Sequence, residues 1–276
     1  MDTFYEPLLQ LEVFVQAREK LGKEKGLLLL TGCVESQKTH LMYGLGRGRR
    51  VKLILTYNEL KAKEICEEYQ ALGEHVFYYP PKDFLFFHAD IQGNELLRQR
   101  MTATSRLLSG EPAVIITTID GCMAPLLPLE KLKELILSIG VGSVVEMDAV
   151  KKRLVRMGYE RTGQAELPGQ FAIRGGILDI YPLTEEYPVR IELWDDEVDS
   201  IRSFDASSQR SMENLEEIVL YPAAEACPEE FRCKGVCLLD YVRAYDSLVF
   251  LDEVNRLFER RETVEKEYRQ NFENRM

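Results

Sequence analysis

The sequence predicts an α/β fold in which a mainly parallel sheet carries an inserted α+β domain built on an antiparallel sheet. Three observations carry this. Up to about residue 125, short β-branched runs alternate with helix-length amphipathic stretches, the pattern of βαβ units. From Tyr159 the style changes to closely spaced short strands separated by turn residues. After Pro222 a last apolar run and a charged helix return to the first style. The expected domains are 1–128 (α/β), 129–222 (β-rich insertion) and 223–276 (return segment to the α/β domain).

In order, Leu8, Leu9, Leu11, Val13, Phe14, Ala17 and Leu21 have the spacing of a leading helix over 7–22, ending near Gly22. Leu27 to Leu30 reads as a buried strand, Lys38 to Leu45 as a helix, and Gly44, Gly46 and Gly48 as loop punctuation. Val51 to Thr56 is the next strand. Asn58 is placed to cap a helix through about Leu72, with Gly73 as its stop. His75 to Tyr79 is a strand ended by Pro80-Pro81, Asp83 to Asn94 is aromatic and irregular, and Glu95 to Leu108 is an amphipathic helix closed by Gly110. Ala113 to Thr118 is a further β-branched strand. Beyond Pro125 and Pro128, Lys131 to Ile139 has mixed spacing and Glu146 to Met157 is a basic amphipathic helix. Strands are expected at 170–174, 177–181, 189–194, 198–204 and 218–221, with Gly175-Gly176, Thr184 to Tyr187 and Asp195-Asp196 between them. An apolar segment at Val236 to Val242 leads to the strand Ser247 to Leu251, which ends in Asp252-Glu253, and Val254 to Arg275 reads as a helix.

Composition narrows the function classes. With 45% apolar and 29% charged residues the chain can build real cores, and no apolar stretch approaches the roughly 20 residues of a membrane span. The acidic opening MDTFYEPLLQLEVF does not resemble a signal peptide, so a cytoplasmic protein without membrane contact is expected. Cys227, Cys233 and Cys237 cluster without a paired C-x-x-C, and His40, His75 and His88 form no recognisable ligand pair, so no metal is expected. A net charge of −11 opposes a nucleic-acid backbone outside short basic stretches such as Arg47 to Lys52 and Lys151 to Arg156.

The stretch LLLLTGCVESQKTHL is nearly a phosphate loop. The pattern G-x-x-x-x-G-K-[ST] maps onto Gly32, Gln37, Lys38 and Thr39, with Gln37 where glycine belongs. In a working loop the second glycine lets the backbone approach phosphate, and Glu35 sets a negative charge where polyphosphate would sit. Asp252-Glu253 after an apolar strand has the look of a Walker B. The expected fold of this part is therefore P-loop, RecA-like, with a degenerate Walker A, no catalytic residue and no cofactor. The rival is an ATP-binding, helicase-like domain acting on DNA.

Five stretches carry a family resemblance: TGCVESQKTHL, YYPPKDFLFFHADIQGNELLRQRM, VIITTIDGCMAPLLP, ELILSIGVGSVVEMDAVKKRLVRMGYER and, above all, GQFAIRGGILDIYPLTEEYPVRIELWDDEVDSIRSFDASSQRS. Together they cover most of residues 27–221. The chain resembles the N-terminal, UvrB-homologous module of bacterial transcription-repair coupling factors (the Mfd family). The resemblance implies a module that has lost ATPase activity and whose inserted domain binds the excision-repair protein UvrA. It places the interface on Arg174 in A-I-R-G-G, Arg190 in P-V-R-I-E and Trp194, where the family usually has Phe. The full-length proteins are ATP-dependent DNA translocases, so RNA polymerase and DNA are implied as partners only through parts absent here. An isolated N-terminal fragment is expected, with a shorter 222–247 connection than the family usually has.

The residues point the same way by themselves. Along Val189 to Trp194 the period of two puts Val189, Ile191 and Leu193 on one face and Arg190, Glu192 and Trp194 on the other. Arg and Trp are enriched among interface hot spots. Arg174 precedes a Gly-Gly bend able to aim it at the same patch. The competing structural role pairs Arg190 with a neighbouring acid and lets Trp194 cap a core edge. Phe171 alternates with Ile173 and belongs to the core, Arg161 lies nearby, and Asp195, Asp196, Glu197 and Asp199 form a solvated acidic turn.

Overall fold

The computed structural model describes residues 3–23, 26–81, 91–223 and 236–273. In chain order a 3-10 turn at Glu6–Gln10 leads to α1 (Glu12–Lys23), α2 (Glu35–Gly46), β1 (Val51–Thr56), α3 (Glu59–Ala71), β2 (Val76–Tyr79), α4 (Ile91–Leu108) and β3 (Ala113–Thr118). There follow α5 (Ile119–Met123), α6 (Leu129–Leu135), β4 (Leu137–Gly140), α7 (Met147–Arg156), β5 (Glu160–Arg161), β6 (Gln170–Arg174) and β7 (Ile177–Ile180). The chain continues through β8 (Val189–Trp194), β9 (Glu197–Phe204), β10 (Ser211–Leu215), β11 (Glu217–Leu220), α8 (Leu238–Val242), β12 (Ser247–Leu251) and α9 (Val254–Glu273). The expectations at 83–90 and 224–235, including those on His88, Cys227 and Cys233, lie outside the described residues.

The chain divides into two units. The first holds Met1–Pro81, Gly110–Met123 and Leu239–Met276, the second Lys82–Ser109 and Ala124–Leu238. The first unit is built on a four-stranded sheet, order β12-β1-β3-β2, with every pairing parallel. β1 and β3 are buried along their whole length, as strands covered on both faces must be, which is why VKLILT and AVIITT lack a clean alternation. Asn58 caps α3 by accepting from the Lys61 amide at 2.8 Å, and Gly73 takes the positive φ that ends the helix region. At the C-terminal side of the sheet, Arg260 of α9 grips Asp120 of α5 through both Nε and Nη2.

Two expectations for this unit are overturned. Leu27 to Leu30 is not a strand; it runs outside the sheet, with Leu27 91% and Leu29 71% exposed, and only Leu28 packs with the Leu8, Phe14, Ala17 and Leu45 cluster. An unbroken leucine run carries no period from which a partner can be inferred, and it pairs with neither edge strand of the sheet, β12 or β2. Gly44 and Gly46 do not punctuate a loop but lie in α2. A Cβ on Gly44 would stand 2.4 Å from Leu8 Cδ1 and 2.8 Å from Phe14 Cε2, so the glycine is there for close packing of a helix against the N-terminal segment.

The second unit carries a six-stranded sheet, order β10-β9-β8-β7-β6-β5, antiparallel except for the short β5–β6 pair, and a separate β11-β4 pair. The described residues thus form a mixed α/β protein with a parallel sheet, a largely antiparallel one and a two-stranded antiparallel pair. One face of the larger sheet presents Phe171, Leu178, Ile180, Val189, Ile191, Val198 and Ile201 to a core shared with Leu154 and Met157 of the α7 segment. Phe171 is fully buried, as its alternation with Ile173 predicts. β10 escapes the sequence pattern because SMENL is an exposed, polar edge strand without an apolar face. The mixed stretch at 131–139 resolves into the end of α6 and then β4. Among the described residues no helix is long and apolar enough to cross a membrane.

Candidate functional site

The antiparallel sheet's outer face is set by its register. Ala172, Asp179, Arg190 and Arg202 stand opposite one another across β6, β7, β8 and β9, and Arg174, Ile177, Glu192 and Ser200 form the next row on the same face. Trp194 follows Glu192 by two residues, at the end of β8. The β6–β7 hairpin turns in two residues, with Gly175 at φ +62, a backbone region where a side chain is strained. A Cβ on Gly176 would meet the Leu193 carbonyl oxygen at 3.0 Å, so β8 closes against the turn only because that side chain is absent. The turn therefore lies between Arg174 and the end of β8 that carries Trp194.

At the centre of this face Asp179 is buried, its side chain 2% exposed. Oδ1 accepts from Arg190 Nε at 2.6 Å and Oδ2 from Arg190 Nη2 at 2.9 Å, a bidentate fork. The same Oδ2 accepts from Arg174 Nη2 at 2.5 Å. Arg190 is held further by donation from Nη2 to Gln209 Oε1 at 2.9 Å and by the Phe204 ring, 4.6 Å from its guanidinium carbon. The bond to Asp179 raises the Arg190 pKa above its ordinary value. Beside this cluster Arg202 pairs with Glu192, whose other oxygen accepts from Ser200 Oγ.

Exposure separates the three residues singled out from sequence. Arg174 is 47% exposed in its side chain, Arg190 17%, and Trp194 79% overall. The sheet brings all three to one face. Arg190 has the acid partner that the competing structural role supposed, Asp179, and Arg174 shares it. Asp179, Phe204 and Gln209 were not picked out from sequence. The signal for Asp179 was present, an acid inside the apolar run Ile177-Leu178-Asp179-Ile180, whereas Gln209 comes from a loop at φ +58 with no pattern of its own.

The second candidate site, in the other unit, surrounds Lys38. Gly32 adopts φ +79, and α2 begins at Glu35, so Gln37, Lys38 and Thr39 all lie in its first turns. Gln37 does not sit at a crowded phosphate turn. It is helical, its Oε1 faces the Val34 amide at 3.5 Å, and a helical position needs no glycine. Lys38 Nζ donates to Glu35 at 2.6 Å, to Glu253 at 2.5 Å and to Asp252 at 3.4 Å, and Lys61 reaches Glu35 at 2.9 Å. Hydrogen bonds from Lys38 and Lys61 hold the Glu35 pKa down at about 2, and the acids around Lys38 raise its own. Thr39 Oγ1 donates to Glu68, and Asp252 accepts from Thr56 Oγ1 at 3.0 Å. With Glu64 also 3.1 Å from Lys61, two ammonium groups thus face four carboxylates, and the cluster is net negative without any ligand. Among the described residues no group of three His, Cys, Asp or Glu side chains is placed to hold a metal ion.

Residues 137–225 match the family model of the UvrB interaction domain, a span that includes every residue of the Asp179 cluster. The chain is therefore a protein bearing a UvrB interaction domain. It is similar to part of the transcription-repair-coupling factors. It is 38% identical over 219 residues to that of Bacillus subtilis, covering 73% of this chain and 19% of the relative. It is 34% identical over 215 residues to that of Staphylococcus epidermidis (77% and 18%) and 33% identical over 201 residues to that of Staphylococcus haemolyticus (72% and 17%). The chain spans about a fifth of the length of these curated relatives.

Proposed function

We propose that this chain is a non-catalytic adaptor module of transcription-coupled repair, recruiting UvrA through Arg174, Arg190 and Trp194. The observation that carries this is their common face within the matched domain, two guanidinium groups and an exposed indole on a rigid antiparallel sheet. Contact with RNA polymerase and DNA falls to the rest of the longer relatives. The loop from Gly32 to Thr39 descends from a Walker A and no longer holds nucleotide, which is supported by Lys38 and Thr39 being engaged by carboxylates where phosphate and magnesium would bind.

Charge reversal of both arginines, Arg174→Glu with Arg190→Glu, is expected to abolish retention of purified UvrA in a pull-down, with the fold followed by circular dichroism. Undiminished binding by the folded double variant overturns the site. Truncating a charged hot spot costs about 2 kcal/mol or more, enough to be visible in such an assay.

A further inference from the structure

We infer that Asp179 is the positioning residue of this interface: its buried carboxylate locks Arg174 and Arg190 into one preset guanidinium pair that docks on an acidic surface of the partner. The inference rests on the UvrA reading above and deepens it. Arginine carries long, rotamer-rich side chains, and ordering each on binding opposes association. On this sheet that ordering is complete before the partner arrives. Arg190 is fixed on four sides, by both oxygens of Asp179, by Gln209 and by the Phe204 ring. Arg174 gives Asp179 a single Nη2 contact and keeps a side chain 47% exposed, so its outward N–H groups are presented to solvent in a set direction.

The charge of the face identifies the partner chemistry. In the two rows that hold Asp179 and Glu192, Arg174, Arg190 and Arg202 are three guanidinium groups against two carboxylates, while Glu197 stands opposite Trp194, so the positive excess on this chain of net −11 is confined to the arginine end of the face. A complementary surface presents carboxylates to Arg174 and the outer edge of Arg190, beside an apolar recess for Trp194. Asp179 itself touches no partner, because it is buried beneath the arginines. It acts through them.

The test measures binding kinetics of the whole chain on immobilised UvrA for wild type, Asp179→Asn and Arg190→Lys, with R174E/R190E alongside. Asp179→Asn keeps the shape but places an amide N–H₂ against guanidinium donors. Arg190→Lys keeps the charge and leaves Asp179 paired but removes the fork. Each is expected to raise the dissociation rate about tenfold or more, with the association rate nearly unchanged and the bound stoichiometry intact. A loss of folded protein would lower stoichiometry instead, and if Asp179→Asn does not fold, Asp179→Glu, which keeps the charge but displaces the carboxylate from the fork, takes its place with the same expected and overturning outcomes. Dissociation within about twofold of wild type for the folded variants, while R174E/R190E abolishes binding, overturns the positioning role alone. Binding that survives R174E/R190E overturns the interface itself.

Discussion

Asp179 takes the Arg190 guanidinium edge-on, Nε to one carboxylate oxygen and Nη2 to the other, at adjacent central strands of the antiparallel sheet. The pair makes the two arginines of the face unequal in their effect on stability. Arg190→Ala leaves a buried carboxylate with only the partly exposed Arg174. Breaking a buried pair from one side costs about 3–5 kcal/mol. With Arg174 remaining, a loss of about 2 kcal/mol is expected. Arg174→Ala removes a pair that is half in solvent and costs about 0–1 kcal/mol. Urea unfolding of the two variants measures the order, and equal losses would contradict the central place given to Arg190.

Trp194 is 79% exposed at the end of β8, so it contributes little to the core. Trp194→Ala is expected to change unfolding stability by no more than about 0.5 kcal/mol. UvrA affinity should fall by about 2 kcal/mol, roughly thirtyfold. As the chain's one tryptophan, its fluorescence also reports occupancy of the face directly, by a shift to shorter wavelength when the partner covers it.

The Glu35 carboxyl is depressed from its ordinary 4.5 to about 2 by its bonds to Lys38 and Lys61. A depressed folded pKa contributes stability that is present above the unfolded value and lost as pH falls through the folded one. Glu35→Gln is therefore expected to flatten the acid limb of the stability curve between pH 4.5 and about 2 by lowering stability above pH 4.5, and by a modest amount because Glu35 is largely solvent-facing. Thermal melts across that pH range test it. An unchanged acid limb would show that the Lys38 cluster is not formed in solution.

The nucleotide site has its own measurement. Titration of the chain with ATP and magnesium in a calorimeter is expected to give no binding heat, since a net negative cluster occupies Lys38. Glu35→Ala with Glu253→Ala removes two of the three carboxylates paired with Lys38 and tests the cause. A heat with wild type, abolished by Lys38→Ala, would restore the helicase-like alternative.

Cys66 on α3 is buried, and burial pushes its thiol up to about 12. Since the thiolate is the reactive form, Cys66 is expected to resist alkylation at pH 8 in the native chain and react after denaturation, as followed by mass mapping of its peptide. Labelling of Cys66 in the native chain at the rate of the half-buried Cys33 would contradict the packing of α3.

The sequence by itself determined the class and most of the elements. β-branched runs covered on both faces gave the parallel strands at 51–56 and 113–118, and alternation along Val189 to Trp194 separated its core-facing from its outward residues, because side-chain period is a local property of the backbone. It also made the arginine face a candidate. Tertiary structure decided what local pattern does not contain. The leucine run at 27–30 has the composition of a strand, yet it pairs with neither edge strand of the sheet, β12 or β2. Gln37 marked a departure from a motif, and only the placement of α2 from Glu35 made that position helical and surrounded Lys38 with acids more than two hundred residues away in sequence. The coupling of Arg174 and Arg190 through Asp179 arises from the register of three strands. Register is fixed by packing of the opposite, apolar face, a physical cause that no short stretch of sequence carries alone.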